Sequence, residues 1–114
     1  MAGGFVISEG SAVALGSFDF IDMVDRIRSS AAPDDADCVG EILQAYDAGL
    51  MLVSLTDQNE PTFNAFYRAT LRGRASWLSS HSVEKTEYFG AMEAYWNELL
   101  EMMRQDLRWR DESR

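Results

Sequence analysis

The sequence predicts a mainly α-helical fold: about four helices in an up-and-down, bundle-like arrangement, with a small β-hairpin or arm at the N-terminus. Three observations support this. Apolar residues recur at helical spacing in successive stretches from residue 18 onward. Two short β-prone runs near the N-terminus flank Glu9-Gly10, a pair suited to a tight turn. A chain of 114 residues, 46% hydrophobic and 11% aromatic, also has enough apolar mass for one core and too little length for two. The expected division is a single domain over 1–114, with a hairpin or arm at 1–16, a helical core at 17–110 and a frayed tail at 111–114.

The elements follow in order. Residues 4–16 supply the hairpin. In residues 18–29, Phe20, Ile21, Val24 and Ile27 form the apolar stripe and Ser17 suits the N-cap. On the wet side Asp22 can pair with Arg26 and Asp25 with Arg28. Ser29-Ser30-Ala31-Ala32-Pro33 breaks that helix. Asp34, Asp35 and Asp37 open the next one, where carboxylates offset the positive end of the helix dipole. Val39, Ile42, Leu43 and Tyr46 continue it. Gly49 then presents a fork. It can end the helix and release a buried strand at 50–55, which would make the fold α+β with a third strand, or the helix can run on to about Thr56. Leu and Met favour helix, and Tyr46, Leu50 and Val53 stay in phase, so continuation is the expectation.

Pro61 fits the first turn of the next helix, where its missing N–H costs nothing. Phe63, Phe66, Tyr67, Thr70, Leu71, Trp77 and Leu78 share one face of it, and Gly73 is a candidate kink. The last helix is expected over 83–110, about 40 Å long at 1.5 Å per residue. Its apolar set is Tyr88, Phe89, Met92, Tyr95, Trp96, Leu99, Leu100, Met103 and Leu107, a stripe wider than one partner helix requires. Gly40, Gly49, Gly73 and Gly90 each cost about 1 kcal/mol against alanine in a helix interior. Their number points to close helix approach or to boundaries lying elsewhere.

Nineteen acidic residues against ten basic ones give a net charge of −9. That balance argues against a general nucleic-acid binder and against docking on an anionic membrane. The charge is unevenly placed. Residues 1–60 hold eleven acids against Arg26 and Arg28, whereas residues 61–114 hold eight of each sign. One cysteine, Cys38, allows no intramolecular disulfide. The first residues lack the basic and apolar regions of a signal peptide, and Leu50-Met51-Leu52-Val53 falls far short of the roughly 20 apolar residues of a membrane span. A cytoplasmic protein is expected.

The candidate constellations are few. Asp34, Asp35, Asp37 and Glu41 are the densest acidic cluster. Helix capping explains them better than a hard-cation site, because the spacing is not that of a calcium loop. Asp34, Asp37, Glu41 and Gln44 would share the face opposite the apolar stripe, which suits a protein-binding surface. His81 is the only histidine, and His81-x-x-Glu84 cannot build a dinuclear carboxylate site alone; an exposed loop histidine is the simpler reading. Cys38 has no neighbouring base and reads as a small buried residue. The chain has no Gly-x-Ser-x-Gly elbow, phosphate loop or dinucleotide glycine pattern. Arg68, Arg72 and Arg74 are expected to meet the acidic face of another helix within the fold.

With no catalytic set, metal set or cofactor motif, the profile is not that of an enzyme. It fits a small acidic protein-binding inhibitor, such as a toxin immunity protein or antitoxin, that blocks a basic partner (a nuclease, for example) by electrostatic complementarity. The expected contact residues are Asp19, Asp22, Asp25, Asp34, Asp35, Asp37, Glu41, Asp47, Asp57 and Glu60. The alternative is a helical adaptor or chaperone-like subunit, dimeric through its aromatic C-terminal helix.

Overall fold

The computed structural model describes residues 2–80 and 87–111. The mainly α fold with a small N-terminal β arm is as expected. Strands β1 (Ala2–Ser8) and β2 (Ser11–Gly16) pair antiparallel across Glu9-Gly10, with Phe5 opposite Val13. Alternation sends Phe5, Ile7, Val13 and Leu15 into the core and leaves Ala12 and Ala14 outside.

A third strand corrects the expectation of a helix continuing to Thr56. Strand β3 (Leu52–Ser54) lies parallel to β1 on its other edge, giving the order β2-β1-β3. The helical stretch before it is divided into α2 (Ala36–Ile42) and the single turn α3 (Gln44–Asp47). Gly49 ends α3. It adopts φ +103°, its N–H donates to the Tyr46 carbonyl at 3.0 Å, and the Leu50 N–H donates to the Ala45 carbonyl at 3.0 Å. That paired reversal is a Schellman cap, which only a left-handed residue can complete without strain. Past it, Val53 and Leu55 are buried on the same side of the sheet as Phe5, and the Leu55 N–H donates to the Val6 carbonyl at 2.8 Å. Tertiary burial overrides the helical phase of Leu50 and Val53.

Helix α1 (Ser17–Ser30) begins one residue earlier than expected, with Gly16 rather than Ser17 at the N-cap position. Its buried stripe is Phe20, Met23, Val24 and Ile27; Ile21 is 36% exposed, so Met23 takes the place expected for it. Helix α4 (Glu60–Ser80) is the central helix, buried over much of its circumference. Asn59 Oδ1 accepts the Thr62 N–H at 3.0 Å and caps its start, with Pro61 in the first turn. Gly73 does not interrupt it. A Cβ there would lie 3.1 Å from the Trp96 ring, 3.2 Å from the Ile27 backbone nitrogen and 3.3 Å from the Arg26 carbonyl carbon. The glycine therefore marks where α1, α4 and α5 (Glu87–Arg104) meet.

Helix α5 ends at Arg104, six residues before the expected limit of 110; the expected start at residue 83 lies outside the described residues. The chain leaves the helix because its C-terminal segment has stronger bonds to make elsewhere. Asn64 on α4 clamps it, donating from Nδ2 to the Arg108 carbonyl at 2.8 Å and accepting the Arg110 N–H on Oδ1 at 2.9 Å. The Arg108 guanidinium reaches the carbonyls of Ile7 (2.8 Å), Gln58 (2.9 Å) and Leu55. It also bonds both Asp106 oxygens and lies 4.4 Å above the Phe63 ring centre. One side chain thus joins the end of β1, the loop after β3 and the C-terminal segment. The sheet's inner face and the helices share one core, in which Phe5, Phe20, Phe63, Phe66, Trp77 and Trp96 are fully buried.

Candidate partner-binding surface

The outward side of α1 follows from its core side. With Phe20, Met23, Val24 and Ile27 turned inward, Phe18, Ile21, Asp25, Arg28 and Ser29 are exposed. Phe18 is 89% exposed. It stands two residues before Phe20, hence about 200° round the helix from it. Sequence reasoning passed over Phe18 because it lay outside the stripe, although that offset was the available signal.

The acidic residues divide into engaged and open ones. Asp22 pairs with Arg26 at 3.3 Å, as expected within one helix. Asp25 does not pair with Arg28, which instead crosses to Asp47 on α3 at 2.6 Å. Tyr46 lies in this corner, edge-on to Phe20 with ring centres 5.7 Å apart. Burial pushes its phenol above the usual value, and the nearby Asp25 carboxylate adds to the rise. Glu60 pairs with Arg110 at 3.0 Å.

Asp35 corrects the expected contact set. Its side chain is only 7% exposed and holds Arg68 of α4 by two bonds, 2.7 Å to Oδ1 and 3.1 Å to Oδ2. The bidentate fork is a stronger bond than a helix cap, so the carboxylate faces inward rather than toward a partner. The pair also meets the expectation that the α4 arginines find acids within the fold, for Arg68. Arg74 instead donates to Asn97 at 2.9 Å. Arg72 is exposed, without a partner among the described residues.

Asp19, Asp25, Asp34, Asp37, Glu41 and Asp57 have no ion pair or side-chain hydrogen bond among the described residues, and all but the half-buried Asp19 are exposed. The described arginines contrast with them. Seven of the eight, Arg26, Arg28, Arg68, Arg74, Arg104, Arg108 and Arg110, are engaged with other side chains, and Arg72 is the exception. Most of the described positive charge is thus tied into contacts within the chain while much of the negative charge faces water.

The other candidates yield less. Cys38 is half-buried. The His81-x-x-Glu84 pattern lies outside the described residues, and no group of three or more metal-binding side chains occurs among the described ones. A groove of about 370 Å³ runs between α4 and the C-terminal segment, but its Arg68 and Arg110 are already held by Asp35 and Glu60. The wide apolar face of α5 is inside the fold, with Met92, Trp96, Leu99, Leu100 and Met103 buried; Leu107, beyond the helix, is 93% exposed. No helix among the described residues is long and apolar enough to cross a membrane.

No family model matches the chain. The immunity protein CdiI of Burkholderia pseudomallei is 29% identical over 109 residues, which cover 95% of this chain and 94% of that protein. The solved structure of a CdiA-CT toxin from Burkholderia pseudomallei in complex with its cognate CdiI immunity protein contains a chain of the same fold. The TM-score is 0.76 and the identity 30%, over 94% of this chain and 98% of that one.

Proposed function

We propose, on the premise that this chain belongs to the CdiI immunity proteins, that it captures its cognate toxin by presenting an acidic face to a basic surface. The observation that carries this reading is the asymmetry of its ion pairs among the described residues: seven of eight arginines are engaged within the chain, while Asp19, Asp25, Asp34, Asp37, Glu41 and Asp57 are left open. Open charge of one sign steers a partner of the other and rejects wrong ones. Asp19, Asp25, Asp34, Asp37, Glu41 and Asp57 are the contact carboxylates in this reading. Asp22, Asp47 and Glu60 stand at the rim with their arginines, and Asp35 acts inside the fold.

Blocking a toxin requires no catalytic group, and the same acidic face disfavours direct binding to nucleic acid. The reading places the protein in the cytoplasm, where Cys38 remains a free thiol. It does not need a homodimer through α5, whose apolar face packs in the core.

Calorimetric titration with the cognate CdiA-CT toxin domain tests the reading. Affinity is expected to fall more than about tenfold between low and high salt. It is expected to be lost in the triple variant Asp34→Lys, Asp37→Lys, Glu41→Lys at unchanged helicity. Affinity indifferent to both would overturn the electrostatic capture.

A further inference from the structure

We infer that the toxin docks on the outward face of α1, with Phe18 and Ile21 as the apolar anchor, and that it offers this face an apolar cleft edged with arginine or lysine. The inference rests on the inhibitor reading above and adds to it the apolar centre that charge alone does not supply.

Phe18 and Ile21 are one turn apart on the same side of α1, and both are exposed although the fold has a core close beneath them. A scattered exposed side chain needs no explanation. These two are distinguished by what surrounds them. Asp19 and Asp25 are open, and Asp22 is on the same turn as Ile21. The two bases of the helix do not offset them outward: Arg26 is held by Asp22 and Arg28 by Asp47. Beyond Asp25 the half-buried Tyr46 extends the surface onto α3.

An aromatic anchor ringed by charge is the anatomy of an interaction hot spot, in which the rim excludes water from the centre. The charge also selects the occupant. A second copy meeting this face across a two-fold axis would bring the open Asp19 and Asp25 toward their own equivalents, and like charges so placed disfavour association. A basic rim on the toxin relieves the same charges.

The test is calorimetry with the cognate CdiA-CT toxin domain, applied to the unmodified protein and to Phe18→Ala and Phe18→Ala/Ile21→Ala. Because Phe18 makes little use of the core, thermal melting by circular dichroism is expected to be unchanged in Phe18→Ala. Its affinity is expected to fall about 30-fold, and further in the double variant. If the unmodified chain binds and both variants bind within about twofold of it, the α1 anchor is wrong while toxin capture stands. If the unmodified chain does not bind, the inhibitor reading itself fails, and this placement with it. A concentration-dependent mass by light scattering that Phe18→Ala abolishes would overturn the toxin as occupant in favour of a second copy.

Discussion

Replacing Arg108 removes the contact on which the C-terminal half of the fold is closed. Its guanidinium serves three backbone carbonyls from two separate parts of the chain, Ile7 before the hairpin turn and Leu55 and Gln58 after β3. It also neutralises Asp106, whose side chain is 10% exposed against 20% for Arg108. A hydrogen bond from a charged donor contributes about 1.5–3 kcal/mol, and bonds within one network do not add. Arg108→Ala leaves Asp106 without its cation and those carbonyls without this donor, while partial exposure lets water recover some of the loss. The expected destabilisation is about 3 kcal/mol, which for a chain of this length lowers the melting temperature by roughly 10–15 °C. Arg108→Lys keeps the charge but loses the planar fork, since one ammonium cannot span these partners, so about half the loss is expected. The assay is thermal unfolding by circular dichroism at neutral pH. A melting point for Arg108→Ala within 3 °C of the unmodified protein would refute the reasoning. So would Arg108→Lys melting as low as Arg108→Ala, which would mean that the charge without the fork contributes nothing.

Three further outcomes follow from the same geometry. Gly73→Ala gains about 1 kcal/mol of helix propensity. It also drives a methyl against the Trp96 ring and the α1 backbone, so a net loss of about 1–2 kcal/mol is expected in urea unfolding. The bridge between Asp35 and Arg68 should be asymmetric: Arg68→Met strands a buried carboxylate and costs about 3 kcal/mol, whereas Asp35→Asn leaves an arginine that is 38% exposed and already hydrated in part, costing about 1 kcal/mol; equal losses would contradict this. The bonds from Arg108 hold the Asp106 carboxyl below its ordinary value of 3.8, so its contribution is full above that value and is lost as pH falls through the lower folded-state value. The stability gap between the unmodified protein and Asp106→Asn should accordingly be present at pH 6 and close below pH 3.8 in acid-unfolding curves.

What the sequence revealed and what it concealed divide along physical lines. The hairpin, the bounds of α4 near Pro61 and the core face of α5 were legible because turn chemistry and helical period act locally. The fate of residues 50–55 was not, since the in-phase residues Tyr46, Leu50 and Val53 satisfy a helix as well as a buried strand. Gly49 carried the deciding signal, but choosing between its two roles requires knowing that β1 has a free edge for Val53 to join. The end of α5 was concealed for a similar reason. Leu107 continues the helical period yet is exposed, because bonds made by Asn64 and Arg108 to distant backbone outweigh one more turn of helix. The acidic first half was plain in the composition, but the inward turn of Asp35 was not, because Arg68 lies thirty-three positions away.

The distribution of ion pairs connects that uneven charge to function. Several of the arginines that join separate elements, Arg68, Arg108 and Arg110 among them, come from the half of the chain with no net charge, and Arg68 and Arg110 reach into the acidic half to take Asp35 and Glu60. The fold therefore uses most of its described arginines as internal ties. This leaves Asp19, Asp25, Asp34, Asp37 and Glu41, on or beside α1 and α2, without a counter-ion among the described residues, a net negative charge that repels its like. Such repulsion weakens the folded chain slightly, and salt screens it. The same salt weakens attraction to a basic partner. An acidic face retained for capture thus requires stability and affinity to respond to ionic strength in opposite directions, whereas an acidic face kept only for solubility carries no such link to a toxin.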